Sequence, residues 1–237
     1  MNLILFEPGE FDNLLPLNDP RVIHILTVLR RKPEQTFDAG IVDGPQGKAH
    51  YRKVTGKGMV LAFEQVSSKP AREPVTLLIG LPRPQTARRI LREASAIGVD
   101  AIHFLLTAQG APGYARSTLW SSGEYRRHLI AGTEQAFSTR LPGISHQMTL
   151  EEALVGLEDI PTRFALDNYE ARNRLMDAPL SGAPAALAVG PERGWTKQDR
   201  TTLQKAGFGL VGLGPRVLRS ETAVVGGLTL LRARLGL

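Results

Sequence analysis

The stretch Leu210-Val211-Gly212-Leu213-Gly214-Pro215-Arg216-Val217-Leu218-Arg219-Ser220-Glu221-Thr222 passes from an apolar run, through a glycine-proline turn, into the start of a helix. Leu210 to Leu213 reads as a short buried strand, because its apolar residues are continuous rather than alternating and end at Gly and Pro. Ser220 reads as the helix N-cap, and Glu221 places a carboxylate in the positive first turn. Beyond it Val224, Leu228, Leu231 and Leu235 recur at the spacing of one buried helical face, with Arg232 and Arg234 suited to the last turn. Gly226 and Gly227 cost about 1 kcal/mol each against Ala in mid-helix, so they are expected where another backbone approaches closely.

A second stretch has the same form. Ala185-Ala186-Leu187-Ala188-Val189 runs into Gly190-Pro191-Glu192-Arg193-Gly194-Trp195. Two apolar runs that end at Gly turns suggest adjacent parallel strands of an α/β sheet, and ligands bind where such strands end. Backbone N–H and C=O groups exposed at glycine turns can read a flat ligand's edges at close range.

Upstream the pattern continues to alternate. Val75 to Leu81 reads as a strand, and Pro84 to Gly98 as an amphipathic helix with Ile90, Leu91, Ala94 and Ile97 on one side and Arg88, Arg89 and Arg92 on the other. Strands over Ala101 to Thr107, Ile144 to Met148 and Arg163 to Leu166, with helices over Glu124 to Phe137 and from Thr149, complete a βα series. Ser67-Ser68-Lys69-Pro70-Ala71-Arg72-Glu73-Pro74 is a polar, proline-marked linker and is read as the domain boundary. Before it, Asp19-Pro20 opens a short helix with Val22, Ile23, Leu26 and Leu29 on its apolar face. Thr36 to Val42, Lys48 to Val54 and Met59 to Val66 then form a β-meander turning at Asp43-Gly44 and Gly56-Lys57-Gly58.

The strings GPERGW (Gly190 to Trp195) and LGPRVLRSETA (Leu213 to Ala223), in this order, resemble the paired motifs of the RsmE family of SPOUT methyltransferases. VIHILTVLR (Val22 to Arg30) and Glu134-Gln135 followed by Arg140-Leu141-Pro142 resemble further segments of that family, so the likeness covers nearly the whole chain. The resemblance implies an α/β fold: a PUA-like, RNA-binding β-barrel over 1–70, then a SPOUT methyltransferase domain over 71–237 with a C-terminal trefoil knot. It implies methyl transfer from S-adenosylmethionine to N3 of a uridine in 16S rRNA of the small ribosomal subunit, by a cytoplasmic homodimer that needs no metal. The cofactor would lie against Leu166, Gly190, Pro191, Glu192, Gly194, Leu213, Gly214, Val217 and Leu218.

Methylating uracil N3, an imide nitrogen, requires loss of its proton and stabilisation of the charge that spreads to the flanking carbonyls. A fixed arginine suits that task. Arg219 is the expected clamp, with Arg216 the alternative. Glu221 is expected to accept a hydrogen bond from Arg219, to bond the cofactor or base, or to serve only as a helix-start carboxylate. RNA contacts are expected from Arg21, His24, Arg30, Arg31 and Arg52 in the first domain, and from Arg83, Arg88, Arg92, Arg140 and Arg193 in the second. Three places depart from the family pattern. Arg193 stands where glycine is common, at a cost of about 1 to 2 kcal/mol if the position needs positive φ; Arg92 to Val99 lacks charges at their usual places; and Ser138 stands where arginine is common.

Composition sets the outer limits. The 237 residues carry a formal charge of +6, which favours a polyanionic partner, and 42% are hydrophobic, as in ordinary globular proteins. No apolar run approaches the roughly 20 residues of a membrane span. Met1 to Phe6 is apolar but is followed by Glu7 and Asp12 without a basic segment, so no signal peptide is expected. Zero cysteines exclude disulfides and thiolate chemistry, and five scattered histidines show no metal-ligand spacing. Gly207 to Gly212 matches GxGxxG, yet it begins a strand instead of following one. Gly212 to Val217 is better placed, but the chain has no room for the ribose-binding acid about 20 residues on, so a dinucleotide site is set aside. Gly44 to Ala49 lacks the spacing of a P-loop. The remaining rivals are a SPOUT enzyme acting on another rRNA or tRNA position, and a non-catalytic RNA-binding assembly factor. Only the second leaves the two glycine turns without a purpose.

Overall fold

In the computed structural model, residues 3–71 and 73–237 are described. Arg72, within the expected linker, and Met1 and Asn2, at the head of the first apolar run, lie outside the described residues. The chain divides into two compact units, one made of residues up to Ala71 together with Thr133–Leu141, the other of the rest.

The first unit contains β1 (Ile4–Phe6), α1 (Pro20–Thr27), β2 (Thr36–Ile41), β3 (Gln46–Thr55) and β4 (Gly58–Ser67). The meander forms as expected, with β2, β3 and β4 antiparallel in sequence. At its edge β1 pairs parallel to β2, Leu5 opposite Gly40. The Asp19 carboxylate caps α1 by accepting the Arg21 N–H, with Pro20 at the first helical position. Val22 and Ile25 seal the helix onto a core of Phe6, Phe37, Tyr51 and Met59, whereas Ile23 and Leu26, expected on its apolar face, are exposed.

Thr133–Leu141 completes this unit by a different route. The Glu134 carboxylate accepts the Leu5 N–H at 2.9 Å, and the Thr139 hydroxyl donates to the Gly44 carbonyl at 2.6 Å. The Asp43 N–H donates back to the Thr139 carbonyl at 2.8 Å, and the Gln46 amide to the Phe137 carbonyl at 2.7 Å. Burial pushes the Glu134 carboxyl above its ordinary range, against the weaker opposing pull of the Leu5 N–H and Arg21.

The second unit runs β5 (Val75–Gly80), α2 (Pro84–Ile97), β6 (Ala101–Leu106), α3 (Thr118–Ser121), α4 (Glu124–Gln135, its last turn in the first unit), β7 (Gly143–Thr149), α5 (Leu150–Val155), β8 (Thr162–Leu166), β9 (Asn173–Arg174), β10 (Ala185–Val189), α6 (Lys197–Lys205), β11 (Gly209–Gly212) and α7 (Ser220–Leu235). Its strands form one sheet in the order β7-β6-β5-β10-β8-β11-β9, every pairing parallel. A parallel sheet needs both faces covered. Leu78, Ala186 and Ala188 meet Leu150, Leu154 and Leu203 of α5 and α6 on one face. Leu187 points the other way, towards α7.

Four local expectations are corrected. The helix from Glu124 stops at Gln135, because Phe137 adopts a left-handed φ of 56° that no helix can continue. Ser220 is not the N-cap of α7: Arg219 takes that position in extended conformation, no side chain caps the helix, and Ser220 is buried as its first residue. Leu235 is only half-buried, while Gly227 joins Val224, Leu228 and Leu231 on the inner face. The close neighbours of Gly227 are side chains, not backbone; a Cβ there would lie 2.9 Å from Leu187 Cδ2 and 3.0 Å from Leu166 Cδ1. No helix among the described residues is long and apolar enough to cross a membrane.

Candidate active site

The C-terminal ends of β8, β10 and β11 lie side by side, since Leu166 is in register with Val189 on one flank and with Val211 on the other. Beyond these ends opens a pocket of about 610 Å³, a size suited to a small molecule or cofactor. Both glycine turns contribute to its wall. Leu166, Gly190, Pro191, Glu192, Gly194, Leu213, Val217 and Leu218 line it, whereas Gly214, expected among them, does not.

The turn after β10 tolerates Arg193 without strain. The left-handed conformation falls on Gly194, with φ of 74°, and Arg193 is not among the residues of positive φ. Arg193 therefore keeps an ordinary backbone and an exposed side chain at the rim.

Arg216, Arg219 and Glu221 all line the pocket. Both arginines are exposed, and neither has an ion-pair partner among the described residues. Glu221 is engaged by a neighbour the sequence reading did not foresee: it accepts from Arg89 of α2 at 3.1 Å. Because α7 lacks a side-chain cap, its first N–H groups have no capping partner at the pocket wall, and they add positive potential beside Arg219. On the opposite rim the Arg83 N–H donates to Glu192 at 3.0 Å.

A buried pair that reaches the pocket wall through Asp167 was also missed. Asp167, directly after β8, accepts from Arg200 of α6 at 2.7 Å, with the two side chains only 2% and 9% exposed. The same carboxylate accepts the N–H groups of Tyr169 at 2.8 Å and Glu170 at 2.5 Å. Trp195 donates from its indole to the Leu166 carbonyl at 3.1 Å, which ties the β10 turn to the end of β8. No local pattern signals a pair so far apart in the chain; only the polar residue types at a strand end and on a helix hinted at it.

The expected RNA-binding residues separate into two kinds. Arg83, Arg92 and Arg193 are exposed, as is Arg30, which has a left-handed φ of 51°. Others are committed inside the protein. Arg21 donates to Glu10 at 2.6 Å and 2.8 Å, to Asp19 at 2.7 Å and 3.0 Å and to the Leu5 carbonyl, and lies over the Phe6 ring. Arg88 holds Glu124 in a two-point pair at 2.6 Å and 3.0 Å, which pulls that carboxyl down to about 2. Arg140 is mostly buried beside Asp43 at 3.6 Å. These three guanidinium groups are engaged by carboxylates of the chain itself. Arg52 pairs with Glu34 in the open, while His24 and Arg31 are half-buried.

A parallel sheet with a pocket at its strand ends and unpaired arginines on the rim fits a group-transfer enzyme acting on an anionic polymer. The model of the RNA methyltransferase domain matches residues 69–232 and places the chain in that class. The chain is 35% identical to the ribosomal RNA small subunit methyltransferase E of Treponema pallidum, over 94% of this chain and 87% of that one. It is 30% identical to ribosomal RNA small subunit methyltransferase E 1 of Borreliella burgdorferi, over 95% and 94%. Its fold matches the crystal structure of ribosomal RNA small subunit methyltransferase E from Neisseria gonorrhoeae bound to S-adenosyl methionine, with a TM-score of 0.76, 21% identity and coverage of 99% and 98%. The chain belongs to the ribosomal RNA small subunit methyltransferase E family.

Proposed function

We propose that this protein transfers the methyl group of S-adenosylmethionine to N3 of a uridine in 16S rRNA of the small ribosomal subunit. The observation that carries this reading is the pocket at the ends of β8, β10 and β11, with Arg216, Arg219 and the uncapped start of α7 on one wall. The lining suits the cofactor. The turns after β10 and β11 present backbone groups to a flat ring. When bound there, S-adenosylmethionine supplies an electrophilic methyl group on a sulfonium.

The protein's own residues then act on the base. Loss of the N3 proton leaves negative charge shared with the flanking carbonyl oxygens, and Arg219, exposed beside the α7 N-terminus, stabilises that charge. Arg216 is the second candidate for the same contact. Glu221 is taken up by Arg89, and Arg219, without an ion-pair partner among the described residues, is available to substrate. Residues 1–70, with Arg30, Arg31 and Arg52, serve as the RNA-binding domain, and Arg83, Arg92 and Arg193 extend the contact in the methyltransferase domain over 71–237. The same reading includes a homodimer working in the cytoplasm, which light scattering on the purified chain tests.

The deciding experiment is transfer of labelled methyl to small subunits that lack the modification, followed by nucleoside analysis of the digested RNA. Label in N3-methyluridine, lost with Arg219→Ala, is the expected result. Label in another nucleoside overturns the target atom; binding of subunits without methyl transfer overturns the enzymatic reading.

A further inference from the structure

Tyr169 is an unusual residue for a pocket wall. It lies on the lining yet is 77% exposed, in a protein that buries most of its large apolar groups. Its position is nevertheless fixed at several points. Its N–H donates to Asp167 at 2.8 Å, and Asp167 is itself locked by Arg200 at 2.7 Å and by its own N–H bond to the Val211 carbonyl at 3.0 Å. The Arg200 guanidinium carbon lies 5.2 Å from the centre of the Tyr169 ring, and Arg200 also reaches Glu170 at 3.6 Å. A side chain at Gly194 would touch Tyr169 Cε2 at 3.6 Å, so the ring borders the turn after β10.

An aromatic ring backed by a buried cation and otherwise open to solvent forgoes the free energy that covering it would release. Fixing the chain beneath it has an entropic cost as well. A flat ring that stacks on it recovers the first and offsets the second. We propose that Tyr169 is a stacking platform for a flat heteroaromatic ring entering the pocket, with Asp167 and Arg200 as its positioning residues. The ring is either the adenine of the cofactor or the base to be methylated. The inference rests on the functional reading above and adds a contact outside both glycine turns.

The test compares the full-length protein with Tyr169→Phe, which keeps the ring, Tyr169→Leu, which keeps only apolar bulk, and Arg200→Gln, which removes the cation behind it. Two quantities are measured: the Kd for S-adenosylhomocysteine by calorimetry, and KM and kcat for methyl transfer to unmodified small subunits at saturating cofactor. A further variant, Tyr169→Trp, reports stacking directly as fluorescence quenching by S-adenosylhomocysteine beyond that of the unaltered protein. The expected result is that Tyr169→Phe stays within about twofold of the unaltered protein, while Tyr169→Leu weakens one quantity by about tenfold or more. A raised Kd for S-adenosylhomocysteine, with Trp quenching, identifies the adenine. A raised subunit KM at unchanged Kd, without quenching, identifies the target base. Arg200→Gln is expected to shift the same quantity in the same direction, with kcat less affected. If Tyr169→Leu leaves both quantities within twofold while the unaltered protein is active, the platform is overturned and the functional reading stands. If the unaltered protein neither binds S-adenosylhomocysteine nor transfers methyl, the functional reading itself fails and takes the inference with it.

Discussion

Arg21 in the first unit and Arg219 in the second contribute equally to the net charge, and their surroundings differ in every other respect. Arg21 is enclosed by Glu10, Asp19, the Leu5 carbonyl and the Phe6 ring. Arg219 is exposed on a pocket wall, with no ion-pair partner among the described residues and an uncapped helix start beside it. The comparison sets an arginine satisfied inside the protein against one left without an internal partner on a pocket wall. In the first unit Arg21 ties β1 to the start of α1, whereas on the reading proposed above Arg219 is kept for a ligand.

The sharpest way to break this contrast is to remove both guanidinium groups and compare what is lost. Arg219→Ala is expected to lower the methyl-transfer rate by about 100- to 1000-fold, as for loss of one donor to a developing anion, with an unchanged melting temperature. Single-turnover transfer and thermal melts, run side by side, check it. An equal loss with Arg216→Ala alone would move the clamp to Arg216.

Arg21→Ala is expected to show the reverse pattern, costing about 2 kcal/mol of stability while the protein that remains folded keeps its kcat. A pH signature accompanies it. Hydrogen bonds from Arg21 hold the Glu10 and Asp19 carboxyls below their ordinary values of 4.5 and 3.8. Carboxyls depressed in the folded state contribute stability that is present above those values and lost as pH falls through the depressed ones. Urea midpoints measured from pH 6 downward should therefore fall less steeply for Arg21→Ala than for the unaltered protein.

Glu134 carries the opposite sign. Its carboxyl is raised by burial, so ionising it at neutral pH opposes folding, and the penalty disappears as pH falls through the raised value towards 4.5. Glu134→Gln keeps an oxygen for the Leu5 N–H without the charge. It is expected to gain up to about 1 kcal/mol at pH 7, with the gain vanishing below pH 4.5, which paired denaturation curves at the two pH values measure.

The smallest effect is expected at Arg193. Since its backbone is unstrained and its side chain exposed, Arg193→Ala should change stability by no more than about 0.5 kcal/mol. If the side chain meets a phosphate, the slope of log K against log salt for RNA binding should fall by about 0.7 to 0.9. An unchanged slope would place Arg193 with the structural arginines despite its exposure.

Much of this molecule could be read from local pattern. The strand Ala185–Val189 was expected at its observed bounds, the meander and α2 to within about two residues, and the capped start of α1 at Asp19-Pro20. These elements are written in short runs of apolar residues and in Gly, Pro and Asp at their ends, so the sequence alone determined them, together with the meeting of two glycine turns at one crevice. The tertiary structure alone decided which charges are spent and which are free. The attachment of Thr133–Leu141 to the first unit, the pairing of Arg88 with Glu124, the capture of Glu221 by Arg89 and the lock of Asp167 on Arg200 all join residues far apart in the chain. A side chain's local sequence carries its type and its periodicity, but not the partner that folding brings within about 3 Å, and it is that partner that separates an arginine paired inside the protein from one left exposed on a pocket wall.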